Sequence, residues 1–136
     1  MEPSDSGEAS LTHHALQVLL VDDDELIQIA TRMVLETLGH SVNSAQSGEE
    51  ALAKLAAGFE PDLIILDMNM PGLGGAGTLP GLRALRPAVP VILATGRADQ
   101  TALDLLDAYP GVALLAKPFT RDELRGRLEA LANPVR

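Results

Sequence analysis

Five short apolar runs recur along the chain, each followed by a segment of helical character, and this alternation limits what the chain can fold into more than any other feature. The runs cover residues 17–21, 41–45, 63–66, 89–94 and 112–116. The third, Leu63-Ile64-Ile65-Leu66, is apolar throughout, the pattern of a strand covered on both faces and hence of a parallel sheet. The second is short and polar at alternate positions, which suits a sheet edge. Every connection is long enough for a crossover, so five βα units predict a doubly wound, five-stranded parallel sheet with five helices on its two sides. The fold class is α/β.

Helix limits follow from local chemistry. Asp24 and Glu25 suit the positive end of a first helix, which runs to Leu38 and stops at Gly39. Ser47-Gly48-Glu49-Glu50 opens a second, closed by Gly58. A third follows the glycine-dense stretch 71–77 and holds Gly77, Pro80 and Gly81, so it should be the least regular. A fourth spans about residues 98–108, and Thr120 caps a fifth that ends near residue 132. On the first helix Ile27, Ala30, Val34 and Leu38 fall at core spacing. Leu26, Ile29, Met33 and Leu35 widen its apolar arc to roughly 240°, more than one sheet face covers. That excess is left either to loops or to a partner surface. Residues 1–14, polar and acidic with His13 and His14, read as a disordered leader or linker, 15–133 as one domain and 134–136 as a tail.

Composition removes several classes of function. Nineteen acids against ten bases give a formal charge of -9, which disfavours direct contact with nucleic acid or an anionic membrane. With no cysteine there is neither a disulfide nor a thiolate metal site. Two Phe, one Tyr and no Trp provide no platform for stacking bases or flavin. No apolar run reaches the roughly 20 residues of a spanning helix and no signal peptide is evident, so the expected location is cytoplasmic.

If the strands are parallel, their carboxyl ends share one rim, where open α/β sheets bind ligands. The first polar residues after the apolar runs are Asp22 and Asp23, Asp67, Thr95 and Lys117. Clustered carboxylates raise one another's pKa unless a cation is present, and an oxygen-only set without His or Cys suits Mg²⁺. Such an ion neutralises charge on an incoming phosphoryl group, Lys117 acts as a point charge on its oxygens, and Thr95 donates a hydrogen bond. Asp67 is then placed as a nucleophile that forms an aspartyl phosphate. Each residue alone has a plainer explanation as a helix cap, turn residue or solvated charge; the joint occurrence at matching strand ends argues for a site.

These motifs, Val21-Asp22-Asp23, Asp67-Met68-Asn69-Met70-Pro71, Thr95-Gly96 and Lys117-Pro118-Phe119, resemble those of the receiver domains of two-component response regulators, over about residues 16–132. The resemblance implies a flavodoxin-like sheet of order 2-1-3-4-5. It implies phosphotransfer to Asp67 from the phosphohistidine of a histidine kinase or histidine phosphotransfer domain. Mg²⁺ would be held by Asp22, Asp23, Asp67 and the backbone carbonyl of Asn69. Thr95 and Lys117 would contact the phosphoryl group, and the Lys117-Pro118 bond would be cis. Such a domain is a signalling phosphoacceptor rather than an enzyme with turnover, either standing alone or part of a hybrid histidine kinase. Where the family commonly has an aromatic switch residue this chain has Leu114, and Gly74 stands where an acid is common. Arg97 and Asn69 occupy positions that tune phosphoryl lifetime. A rival reading is an Mg²⁺-dependent phosphatase of the haloacid dehalogenase type, but that chemistry needs an acid two residues after the nucleophile, where Asn69 stands.

Overall fold

The computed structural model describes residues 15–96 and 99–132. Strands β1 (Gln17–Val21), β2 (Ser41–Ala45), β3 (Leu63–Asp67), β4 (Val91–Thr95) and β5 (Val112–Ala116) alternate with helices α1 (Glu25–Thr37), α2 (Gly48–Ala56), α3 (Gly74–Leu85), α4 (Gln100–Ala108) and α5 (Arg121–Ala132). The sheet order is β2-β1-β3-β4-β5, and every pairing is parallel. The flavodoxin-like order and five-helix content predicted above are both found, with the polar β2 at an edge.

The period-two alternation of the strands divides the core in two. Leu19, Val21, Ile64, Leu66, Val91 and Leu93 face Ala51, Leu55, Leu79 and Leu82 of α2 and α3. Val18, Leu20, Leu63, Ile65, Ile92 and Ala94 face Leu35, Leu124 and Leu128 of α1 and α5. Since β3 and β4 lie in the middle, each of their residues is buried.

Three local expectations need correcting or refining. Strand β4 begins at Val91 rather than at residue 89, because Pro90 has no N–H for the ladder; its carbonyl still accepts from Ile64 N at 3.0 Å. On α1 the buried residues are Gln28, Thr31 and Leu35. Ile27 and Ala30, placed by periodicity on the core face, are exposed, while Val34 and Leu38 pack partly against the core. Of the residues that widen the apolar arc, Leu35 is buried in the core, whereas Leu26, Ile29 and Met33 are bare, with Leu26 78% and Met33 60% exposed. Helix α3 runs unbroken through Pro80. It lies so close to α2 that a Cβ on Gly48 would sit 1.8 Å from Thr78 Oγ1, and one on Gly81 2.8 Å from Leu52 Cδ2.

Two arginines fasten the opposite edge of the sheet, where the strands begin. Arg83 donates through Nη1 to the carbonyls of Arg86 (3.2 Å) and Val89 (2.6 Å), and through Nη2 to those of Pro110 (3.0 Å) and Gly111 (3.2 Å). Arg86 donates through Nη2 to Leu55 and Phe59 carbonyls at 2.9 and 2.7 Å, tying the end of α2 to the end of α3. These partners are carbonyl oxygens at helix and strand ends, where partial negative charge collects. Burial lowers the Arg83 pKa from its ordinary value.

Candidate functional site

The register of a parallel sheet brings the strand ends together. Asp67 is the last residue of β3 and Thr95 the last of β4; Asp22 directly follows β1, and Lys117 directly follows β5. Asp22, Asp67 and Thr95 are each only 3% exposed. Backbone bonds lock the loops that leave the rim. Met68 N donates to Ala94 O at 2.9 Å, Lys117 N to Thr95 O at 2.7 Å and Asp22 N to Ala45 O at 3.1 Å. The Lys117-Pro118 bond is cis.

Side chains converge on Asp67. Lys117 Nζ lies 2.9 Å from Asp67 Oδ1 and 3.4 Å from Asp22 Oδ2. Asn69 N donates to Asp67 Oδ1 at 3.2 Å, and Asp24 N to Asp22 Oδ1 at 2.9 Å. Asp24 also caps α1 by accepting from Ile27 N at 3.1 Å, so the acidic run 22–25 divides its labour: Asp22 turns inward, Asp23 remains exposed at the rim, and Asp24 starts the helix. Oxygens of Asp22, Asp23 and Asp67 all lie within 4.8 Å of one another. This oxygen-only set, two members buried and one open to solvent, fits a hard divalent cation.

Electrostatics reflect the crowding. Burial raises the Asp22 pKa above its ordinary 3.8, the Asp24 N–H bond opposes this, the Asp67 charge adds to it and Lys117 offsets it. Burial alone would lower the Lys117 pKa, but the hydrogen bond and charge of Asp67, with those of Asp22, outweigh it and the pKa rises above 10.5. Lys117 is therefore a fixed cation that substitutes for charge the carboxylates need.

A cavity of about 580 Å³ opens beside the cluster between the β3–α3 and β4–α4 loops, lined by Asn69, Gly74, Gly75, Thr95 and Thr101 among others. Its inner wall is close-packed: a Cβ on Gly75 would lie 2.7 Å from Met68 Cα and 2.8 Å from Asp67 O. Leu114, on β5, is half-buried against the α2–α4 side of the core, and its carbonyl accepts from Arg127 Nε at 3.0 Å. Arg97, His13 and His14 lie outside the described residues. The sequence alone did not single out Gln28, a buried amide within an otherwise apolar arc, which reaches the same rim: its Nε2 donates to Asp22 O at 2.7 Å and to Ala45 O at 2.8 Å. Its only sequence signal is that polarity inside the arc.

Comparison with known proteins converges on the same signature. The family model described as the response regulator receiver domain matches residues 18–129. The C4-dicarboxylate transport transcriptional regulatory protein DctD of Rhizobium meliloti is 37% identical over 110 residues, 81% of this chain but 24% of that protein. The transcriptional regulatory protein KdpE of Mycobacterium tuberculosis is 38% identical over 115 residues, 83% of this chain and 49% of that protein. The chain thus spans half or less of the length of these two relatives. Among solved structures, the chemotaxis protein CheY4 of Vibrio cholerae superposes with a TM-score of 0.79 at 29% identity, over 86% of this chain and 98% of that one. The receiver domain of the sensor histidine kinase PA1611 from Pseudomonas aeruginosa, whose structure has magnesium coordinated in its active-site cleft, gives 0.78 at 30% identity over 87% of this chain and 98% of that one.

Proposed function

Because this chain belongs to the response regulator receiver domain family of two-component systems, we propose that Asp67 is its phosphoacceptor and that a histidine kinase or histidine phosphotransfer domain is the donor. The observation that carries this reading is a carboxylate whose side chain is 5% exposed at the end of a central strand, with an ammonium at 2.9 Å and two further carboxylates close by. In the reaction a carboxylate oxygen of Asp67 attacks the phosphorus of a phosphohistidine. The P–N bond breaks, an acyl phosphate forms, and the imidazole leaves with a proton on its nitrogen. Lys117 balances the charge of the transferred oxygens, and Thr95 donates its hydroxyl to them.

Mg²⁺ would be held by Asp22, Asp23, Asp67 and the carbonyl of Asn69, and when bound it supplies positive charge against the phosphoryl oxygens. Asp22 is oriented for that task by its bond from Asp24 N. We assign the receiver unit to residues 15–133, working in the cytoplasm; among the described residues no helix is long and apolar enough to cross a membrane. Leu114 offers an aliphatic contact in place of an aromatic switch, and Arg97 and Asn69 tune hydrolysis. The phosphorylated state is read by a partner on the α4–β5–α5 side or along α1. The domain is a phosphoacceptor without multiple turnover. Family membership leaves the dehalogenase-type phosphatase reading unsupported, and Asn69 explains it chemically: an amide cannot serve as the general acid that reaction requires.

Incubation with Mg²⁺ and acetyl phosphate tests the assignment. The wild type should gain one phosphoryl group by mass, in an alkali-labile linkage, and Asp67→Asn should gain none. Undiminished uptake by Asp67→Asn would refute it.

A further inference from the structure

The geometry points to Gln28 as a positioning residue for Asp22, an inference that rests on the reading of Asp22 as a ligand of Mg²⁺. Strands β1 and β2 stop at Val21 and Ala45, and past such a stop carbonyl oxygens draw partners from outside the ladder. Gln28 supplies a donor from α1 to Asp22 O, just beyond β1, and a second donor to Ala45 O. Its amide nitrogen donates to Asp22 O at 2.7 Å and to Ala45 O at 2.8 Å, and the residue is 7% exposed. Ala45 O also accepts from Asp22 N at 3.1 Å. The main chain of Asp22 is thus gripped on both sides, its N–H by Ala45 and its carbonyl by Gln28.

The carboxylate projects from that clamped backbone toward Lys117 and Asp67, where a displacement of a few tenths of an ångström decides whether three oxygens share one ion. Gln28 touches neither the ion nor the phosphoryl group; it acts by fixing where Asp22 begins. It also joins α1, whose outer face carries exposed Leu26, Ile29 and Met33, directly to a ligand of the site.

The test compares wild type, Gln28→Met, Gln28→Asn, Arg83→Met and Asp22→Asn by Mg²⁺ titration of amide chemical shifts, thermal melting, and the rate of phosphoryl uptake from acetyl phosphate against Mg²⁺ concentration. Met removes both donated hydrogens at nearly constant length, whereas Asn keeps the amide one carbon short of the two carbonyls. Gln28→Met should raise the Mg²⁺ Kd about tenfold, the low end of what losing a partner that orients a metal ligand costs, and Gln28→Asn by a smaller factor. Uptake should slow by the same factor at limiting Mg²⁺ and recover at saturation. Arg83→Met, which loosens the far edge of the sheet, should lower the melting temperature and leave the Kd alone. A Kd that is moved by Asp22→Asn but unchanged in folded Gln28→Met and Gln28→Asn would overturn the proposal for Gln28 by itself. A Kd unmoved by Asp22→Asn would refute the metal-site reading, and the Gln28 proposal with it.

Discussion

Replacing Lys117 with Met removes the ammonium lying between two buried carboxylates, and the cost should depend on pH. In the metal-free protein Asp22 and Asp67 then face each other with their ligand oxygens no more than 4.8 Å apart. Two unit charges at that distance and an effective dielectric near 20 repel by about 3 kcal/mol. A proton can relieve the repulsion, and Asp22, already raised above 3.8 by burial, is the group placed to take it. An acid whose folded pKa is raised binds more protons in the folded state, so stability falls as pH rises through the window between 3.8 and that raised value. Without Lys117 the Asp22 pKa moves higher still. The penalty should therefore be small near pH 4 and complete near pH 7, where the urea midpoint should drop by about 1–2 M for a domain of this size. Mg²⁺ should narrow the gap by supplying replacement charge. Urea unfolding at both pH values, with and without Mg²⁺, measures this. A loss that is equal at the two pH values and indifferent to Mg²⁺ would mean that Lys117 stabilises by packing alone, and would refute the charge argument.

Gly48→Ala should destabilise by about 1–3 kcal/mol through overpacking, since its Cβ would sit 1.8 Å from a Thr78 hydroxyl that donates to Gly74 O at 2.6 Å. Thr78→Ala in the same chain should recover most of the loss contributed by the clash, and thermal melting of the two single variants and the double variant checks the coupling. His40 Nδ1 accepts from Leu16 N at 3.1 Å, and burial lowers its pKa below 6.5. A His with a depressed folded pKa costs stability as pH falls from 6.5 through the lowered value, because the unfolded chain takes up a proton that burial denies to the folded imidazole. His40→Asn, which keeps an acceptor near the Nδ1 position, should flatten the melting temperature over that range.

The site was legible because its members follow the same local rule: Asp22, Asp67, Thr95 and Lys117 each end or directly follow an apolar run, and parallel pairing turns that shared position into proximity. The phase of α1 was not legible for a related reason. An apolar arc as broad as 25–38 leaves the rotation of the helix nearly undetermined by hydrophobicity, so periodicity selected Ile27 and Ala30. Polar geometry decides the rotation instead, since two strand-end carbonyls draw Gln28 inward and Leu35 follows about two turns behind on the same face. The pressing of α3 against the Asp67–Met68 backbone was hidden likewise. Gly74-Gly75 is a generic loop signal, and only the tertiary arrangement reveals that Gly75 has no room for a Cβ.

The arginines at the far edge have a consequence for how the molecule meets acid. Arg83 and Arg86 gather carbonyl oxygens, partners that do not ionise, and a guanidinium keeps its charge at any pH a cell reaches. The rim, by contrast, is held by Lys117 against Asp22 and Asp67, and Asp22, its pKa raised by burial, is a partner that a proton can neutralise. Acidification therefore changes the charge balance at the reactive end, while the bonds that fasten the base stay as they are.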